Sequence, residues 1–262
     1  MFPSGFLCLR AAFLIKVVLL FLIPTSIMAV GQVQSPEGRP AFARRNTLSI
    51  FSAYSNDSSH ILMGNAENRK LLEFGVAYSR RLFVDRIVNW QYNGELLPVA
   101  LESDPQELEV IQQTEPTAET ITFNEGNQAV TCAPHSSSYT FVNPNGVAYA
   151  GTQTLFCSGR QWNIGDAISP VGFQWNFLPR RKMQPFFIGH GGYMYSTKPI
   201  PILEAGSFNF TFDLGAGVEL YRSQTRSIRA EYRYHHISNH NTAEENPGID
   251  NGLFQVTYSF GR

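Results

Sequence analysis

The sequence predicts an all-β fold: eight antiparallel strands closed into a small barrel of the outer-membrane kind. Three observations carry that expectation. Aromatic residues make up 13% of the chain, with 20 Phe and 11 Tyr, yet no long apolar run follows the first thirty-odd residues. Apolar and polar residues alternate with period two in segment after segment, as in strands with one apolar and one polar face. The connections between these segments alternate between short and long, as a barrel with one face of turns and one of loops requires. Composition and alternation alone also suit a soluble β-sandwich.

In chain order, Arg10 and Lys16 precede an apolar run from Val17 to Ile23, and Pro24 and small residues lead to Ala29-Val30-Gly31. This is the form of an export signal, residues 1–31, and it is too short for a membrane anchor of about 20 apolar residues. An N-terminal segment, 32–45, leads into a barrel domain spanning 46–262. Leu48, Ile50, Ser52 and Tyr54 form one face of a first strand; Leu72, Phe74, Val76 and Tyr78 of a second; Val88, Trp90, Tyr92 and Leu96 of a third. From 102 to 165 the rhythm breaks. This acidic and polar stretch, far longer than a hairpin connection, is expected to be an extracellular loop insertion between strands three and four, with room for a hairpin of its own tied by a disulfide. Alternation resumes with Val171, Phe173, Trp175 and Phe177, continues through a glycine-rich strand from Phe186 to Ser196, and is clearest from Phe208 to Leu220. Two last strands lie within Ile228–Phe260. The opposite faces carry Glu73, Glu95, Asp213, Glu219, Arg229, Glu231 and Arg233. Eight strands leave a lumen wide enough only for side chains, so these charges are expected to pair there as structure, with His190 among the structural residues.

Once the signal is removed, two cysteines remain, Cys132 and Cys157, a pair expected to be disulfide-bonded in an oxidising compartment. The formal net charge is −1, which excludes a nucleic-acid footprint. His235, His236 and His240 are crowded, but strand parity sends His235 inward and His236 outward, so no metal site and no cofactor is expected.

The chemistry is concentrated at the carboxy terminus. Tyr232, Tyr234, His236 and Ser238 share one face of their strand, and Asp250, Gly252 and Phe254 share the same outward face of the next. A serine needs a base to take its proton, and an imidazole is a better base when a carboxylate holds its far nitrogen. A polar strand end that merely contains His, Ser and Asp is the competing reading. The motif itself, His236-x-Ser238-Asn239, a loop, then Asn246-Pro247-Gly248-Ile249-Asp250, resembles the carboxy-terminal motif of the PagL-type lipid A 3-O-deacylases, outer-membrane barrel esterases. The texture is similar from about Phe186 onward and fades before Gly165. Where the family has Glu, this chain has the shorter Asp250.

The resemblance implies an esterase of the Gram-negative outer membrane whose partner is lipopolysaccharide. It would remove the ester-linked 3-hydroxyacyl chain at the 3-position of lipid A, with Ser238 as nucleophile, His236 as base and Asp250 as the orienting acid. Asn239, with nearby backbone N–H groups, is expected at the oxyanion, and Tyr232 and Tyr234 beside the acyl chain. The site is expected at the outer-leaflet end. A homodimer is possible. Two alternatives stay open: a non-enzymatic structural or adhesive barrel, for which Ser238→Ala changes nothing, and a calcium-dependent outer-membrane phospholipase, which chelation would silence.

Overall fold

The computed structural model describes residues 42–126 and 131–262. The expected export signal and most of the 32–45 segment lie outside the described residues. Ten strands follow in chain order: β1 (Asn46–Ser55), β2 (Lys70–Val84), β3 (Val88–Glu115), β4 (Glu119–Gly126), β5 (His135–Val142), β6 (Ala148–Phe177), β7 (Met183–Ser196), β8 (Phe208–Tyr221), β9 (Arg226–Ser238) and β10 (Ile249–Gly261). Eight of them form the expected closed antiparallel ring, β3-β2-β1-β10-β9-β8-β7-β6, completed by β3 pairing with β6. First and last strands meet in continuous register, from Thr47 opposite Gly261 to Tyr54 opposite Phe254. Closure leaves no unpaired edge within the ring, the condition for strands to exist in lipid.

Burial follows the alternation. Phe74, Trp175, Phe208, Phe212, Phe254 and Tyr258 are exposed on the outside, where lipid lies, while all seven predicted inward charges are buried. At one end the connections β2–β3, β6–β7 and β8–β9 are short, and Arg44 reaches in below them to Glu219 at 2.6 Å. In the middle, Arg233 binds both oxygens of Glu95, at 3.0 and 2.8 Å, and Glu231 at 2.9 Å. His190 points inward, its Nδ1 2.8 Å from the acceptor Asp213 Oδ1 and its Nε2 3.0 Å from the acceptor Asn93 Oδ1. Glu95, His190 and Asp213 cluster closely enough to hold a cation. The Arg233 guanidinium already supplies positive charge there, so the group reads as an ion-pair network. Toward the other end the lumen is filled by an apolar cluster that includes Phe51, Leu71, Leu97, Met194, Ile237 and Leu253.

The stretch 102–165, expected as a long insertion between ring strands, is largely sheet. β3 and β6 run on past the ring, where β2 stops pairing at Ser103 and β7 at Gly165, and continue to pair with each other as far as Glu115 and Ala150. β4 hydrogen-bonds to the free side of β3 and β5 to that of β6, giving a four-stranded extension. At 3.3–3.4 Å per residue, Asp104–Glu115 spans about 40 Å. Alternating residues such as Leu108, Val110, Ile121 and Phe123 explain why this segment pairs, since backbone pairing needs no lipid on either face. The expected disulfide is present: Cys132, in the link between β4 and β5, is bonded to Cys157 on β6.

Candidate active site

β9 and β10 are joined at the loop-bearing end, and their register sets Asp250 directly opposite His236. On β9 the residues Tyr232, Tyr234, His236 and Ser238 all face outward, alternating with the buried Glu231, Arg233, His235 and Ile237. The predicted parity therefore places His235 in the lumen and His236 outside. His236 Nδ1 lies 2.6 Å from Asp250 Oδ1. That contact leaves Nε2 as the ring nitrogen available to Ser238, two residues along the same face. Among the described residues the Ser238 hydroxyl makes no hydrogen bond; in serine hydrolases this contact often tightens only when substrate binds.

Asp250 faces outward yet is fully buried, because the β1–β2 connection folds over it. The backbone N–H groups of Leu62 and Met63 donate to its Oδ2 at 2.7 and 2.9 Å, and the Tyr234 hydroxyl donates to Oδ1 at 2.8 Å. With His236, four donors thus converge on one carboxylate, and each favours its anionic form. The loop is fastened on both sides of the acid by bridges from Ser58 to Asn251 and from Ala66 to Ile249. Gly64 makes the approach possible: a Cβ there would stand 2.6 Å from the Asp250 nitrogen. None of Leu62, Met63 or Gly64 was predicted. A lone glycine in a polar loop gives no sign of a partner nearly two hundred residues away.

Other predicted residues take different places. Asn239 is buried, and its amide donates to the carbonyls of Ala205 at 2.5 Å and Glu245 at 2.6 Å. Its donors are spent on fastening the β7–β8 and β9–β10 connections, so its side chain is a buttress, not an oxyanion donor as expected. Asn246 accepts the Asn239 backbone N–H at 3.1 Å through Oδ1, and its Nδ2 hydrogens have no partner among the described residues. Tyr234 spends its hydroxyl on Asp250. Tyr232 is exposed and lies across Gly252, where a Cβ would collide with its hydroxyl.

Residues 134–259 match the family model for lipid A 3-O-deacylase, PagL. Over this stretch the chain is similar to the PagL family. The match contains every residue of the His236, Ser238 and Asp250 cluster and stops short of the β1–β2 loop that clasps it. Among solved structures, the outer-membrane enzyme PagL aligns with a TM-score of 0.45 at 11% identity, covering 82% of this chain and 99% of that one. Neisserial surface protein A aligns at 0.41 and 9% identity, over 86% and 100% of the two chains. LpxR from Salmonella typhimurium aligns at 0.24 and 8% identity, over 82% and 100%. No curated protein matches the chain.

Proposed function

We propose that this PagL-family barrel hydrolyses the ester at the 3-position of lipid A, releasing the primary 3-hydroxyacyl chain, by a Ser-His-Asp mechanism. The single observation that carries the reading is the 2.6 Å contact between His236 Nδ1 and Asp250 Oδ1 on the outward face, two residues from Ser238. Ser238 Oγ attacks the ester carbonyl carbon while its proton passes to His236 Nε2. The tetrahedral adduct collapses, the C–O bond to the glucosamine breaks, and the imidazolium returns its proton to that departing oxygen. Water, deprotonated by the same imidazole, then attacks the acyl-Ser238 ester, and the fatty acid leaves as Ser238 Oγ takes the proton back. Asp250 holds the imidazole orientation and stabilises its cationic state. The free amide hydrogens of Asn246 are the side-chain donors best suited to the oxyanion.

The outward position fits an amphiphile. The acyl chain remains in hydrocarbon while its ester meets the loop-bearing rim; short turns at the opposite end support an outer-leaflet position for that rim. All three reacting residues come from adjacent strands of one chain, so the mechanism needs no second copy. The test is mass spectrometry of lipid A from Gram-negative cells expressing the chain. Loss of one 3-hydroxyacyl mass is expected, and Ser238→Ala and His236→Ala, still inserted, should each reduce it by several powers of ten. Undiminished release by inserted Ser238→Ala would sink the mechanism.

A further inference from the structure

Beyond the ring, the four-stranded extension has two unlike faces. Residues directly opposite on neighbouring strands share a face, and the registers place Phe123 of β4, Glu109 of β3, Tyr149 and Gln153 of β6, and Tyr139 and Phe141 of β5 on one side. The other side carries Leu108, Val110 and Phe156 among threonines and serines. Among the described residues between 104 and 160, Phe156 is the one ring on that side. Phe141 and Tyr149 stand opposite each other beside the β5–β6 turn, their rings 5.0 Å apart and within 5° of parallel, and Phe141 is 55% exposed. Tyr139, 6.2 Å from Phe141, lies across Gly151, where a Cβ would come within 2.6 Å of its hydroxyl. The glycine thus leaves room for the ring to lie down on the sheet. Between these rings and Phe123, the Gln153 amide donates to the Glu109 carboxylate on the same face.

Charge narrows what such a face can take. From 102 to 159 the sequence has seven Asp and Glu and no Lys or Arg. That balance repels phosphate groups and anionic lipid surfaces. It does not repel a neutral sugar. A sugar ring has an apolar face of C–H bonds, whose hydrogens suit the negative face of an aromatic ring, and a rim of hydroxyls that need donors and acceptors. Tyr139 and Phe141 supply the first requirement, and the Glu109–Gln153 pair supplies the second. β3 and β6 carry this face about 40 Å beyond the ring, at the end opposite the short turns. On the lipid A reading, that is the side on which the saccharide chain of lipopolysaccharide rises from its lipid anchor.

We propose that the aromatic face of the extension binds the uncharged part of the lipopolysaccharide saccharide chain, an inference resting on the lipid A reading above. The scissile ester is handled elsewhere, on β9 and β10, across the ring from β3 and β6. The experiment is calorimetric titration of the detergent-refolded barrel with a panel of neutral O-polysaccharides freed of lipid A, beside phosphorylated core oligosaccharide. Binding of a neutral polysaccharide is expected, and Phe141→Ala and Tyr139→Ala should each weaken it about tenfold or more. Heat-modifiable migration and deacylation of sugar-free lipid A should stay unchanged in both. The exposure of Phe141 makes its truncation the safer variant if Tyr139→Ala does not fold. Phe156→Ala, on the opposite face, should leave binding where it is. No binding by the wild type, binding of the phosphorylated core alone, full binding by folded Phe141→Ala, or an equal loss in Phe156→Ala overturns the assignment. Self-association that Phe141→Ala abolishes, with no glycan bound, overturns it too and makes the face a contact between copies. Titration needs no hydrolysis. A wild type that deacylates without binding removes this site alone, and one that binds without deacylating removes the esterase reading alone.

Discussion

Asp250 shows how much one side chain's geometry is decided by its neighbours. Its two oxygens are divided, Oδ1 between His236 and Tyr234, Oδ2 between the Leu62 and Met63 N–H groups. From the motif alone, Asp250→Glu looks neutral, since the family uses Glu there. In this chain the loop is drawn up to the shorter carboxylate, and an extra methylene in a fully buried position has to push either the imidazole or the loop away. Deacylation by Asp250→Glu is therefore expected to fall about tenfold or more, and Asp250→Ala further, though not to the level of Ser238→Ala; wild-type rates for Asp250→Glu would show that the loop yields freely. Gly64→Ala is expected to lower kcat more than it raises KM, because it disturbs the acid's holder and leaves the outward face intact. The placing of His236, Ser238 and Asp250 on one outward face was legible from strand parity. The clasp was not, since the Met63 contact closes over 187 residues of sequence and local pattern carries no trace of it. Asn239 misled for a related reason: it stands next to Ser238 in sequence while its amide donates to the loops behind.

At the scale of elements, the membrane strands were readable and the extension was not. Lipid on one face and a polar lumen on the other force a clean alternation from Phe208 to Leu220, whereas β4 and β5 have water on both faces and no such constraint. One signal was present. Asn143-Pro144-Asn145-Gly146 is a turn sequence, and in the structure the Asn143 side chain accepts the N–H groups of Asn145 and Val147 while Gly146 takes positive φ, joining β5 to β6. The disulfide ties the link between the two hairpins to β6 over a sequence separation of 25, for which chain entropy gives on the order of 3 kcal/mol. Cys132→Ser with Cys157→Ser should therefore make residues 116–147 sensitive to protease while the barrel keeps its heat-modifiable migration. Loss of that migration would mean that the extension supports the ring itself.

The whole molecule is organised as two surfaces with opposite chemistry, back to back through one layer of backbone. Outside are aromatics and aliphatics in lipid, with the candidate site at their upper margin; inside are buried charges and, toward the loop-bearing end, an apolar cluster. Arg233 answers for Glu95 and Glu231 at once, and removing one member of a buried network leaves the others uncompensated, at a cost of roughly 3–5 kcal/mol. Arg233→Met is accordingly expected to lower the urea midpoint of the detergent-folded barrel substantially. A midpoint within experimental scatter of wild type would show that lumen water has taken over the guanidinium's role.

The clasp on Asp250 also ties chemistry to biogenesis. Ser238, His236 and Asp250 all lie on the β9–β10 hairpin, but the groups that hold Asp250 arrive with the β1–β2 loop, and those two ends of the chain come together only when β1 pairs with β10. That pairing is also the seam that closes the ring. A chain still in transit, with its seam open, carries the reactive residues without the support that aligns them. Hydrolytic power should then appear together with the closed, heat-modifiable form during refolding, and the enzyme would be armed by the same step that commits it to its membrane.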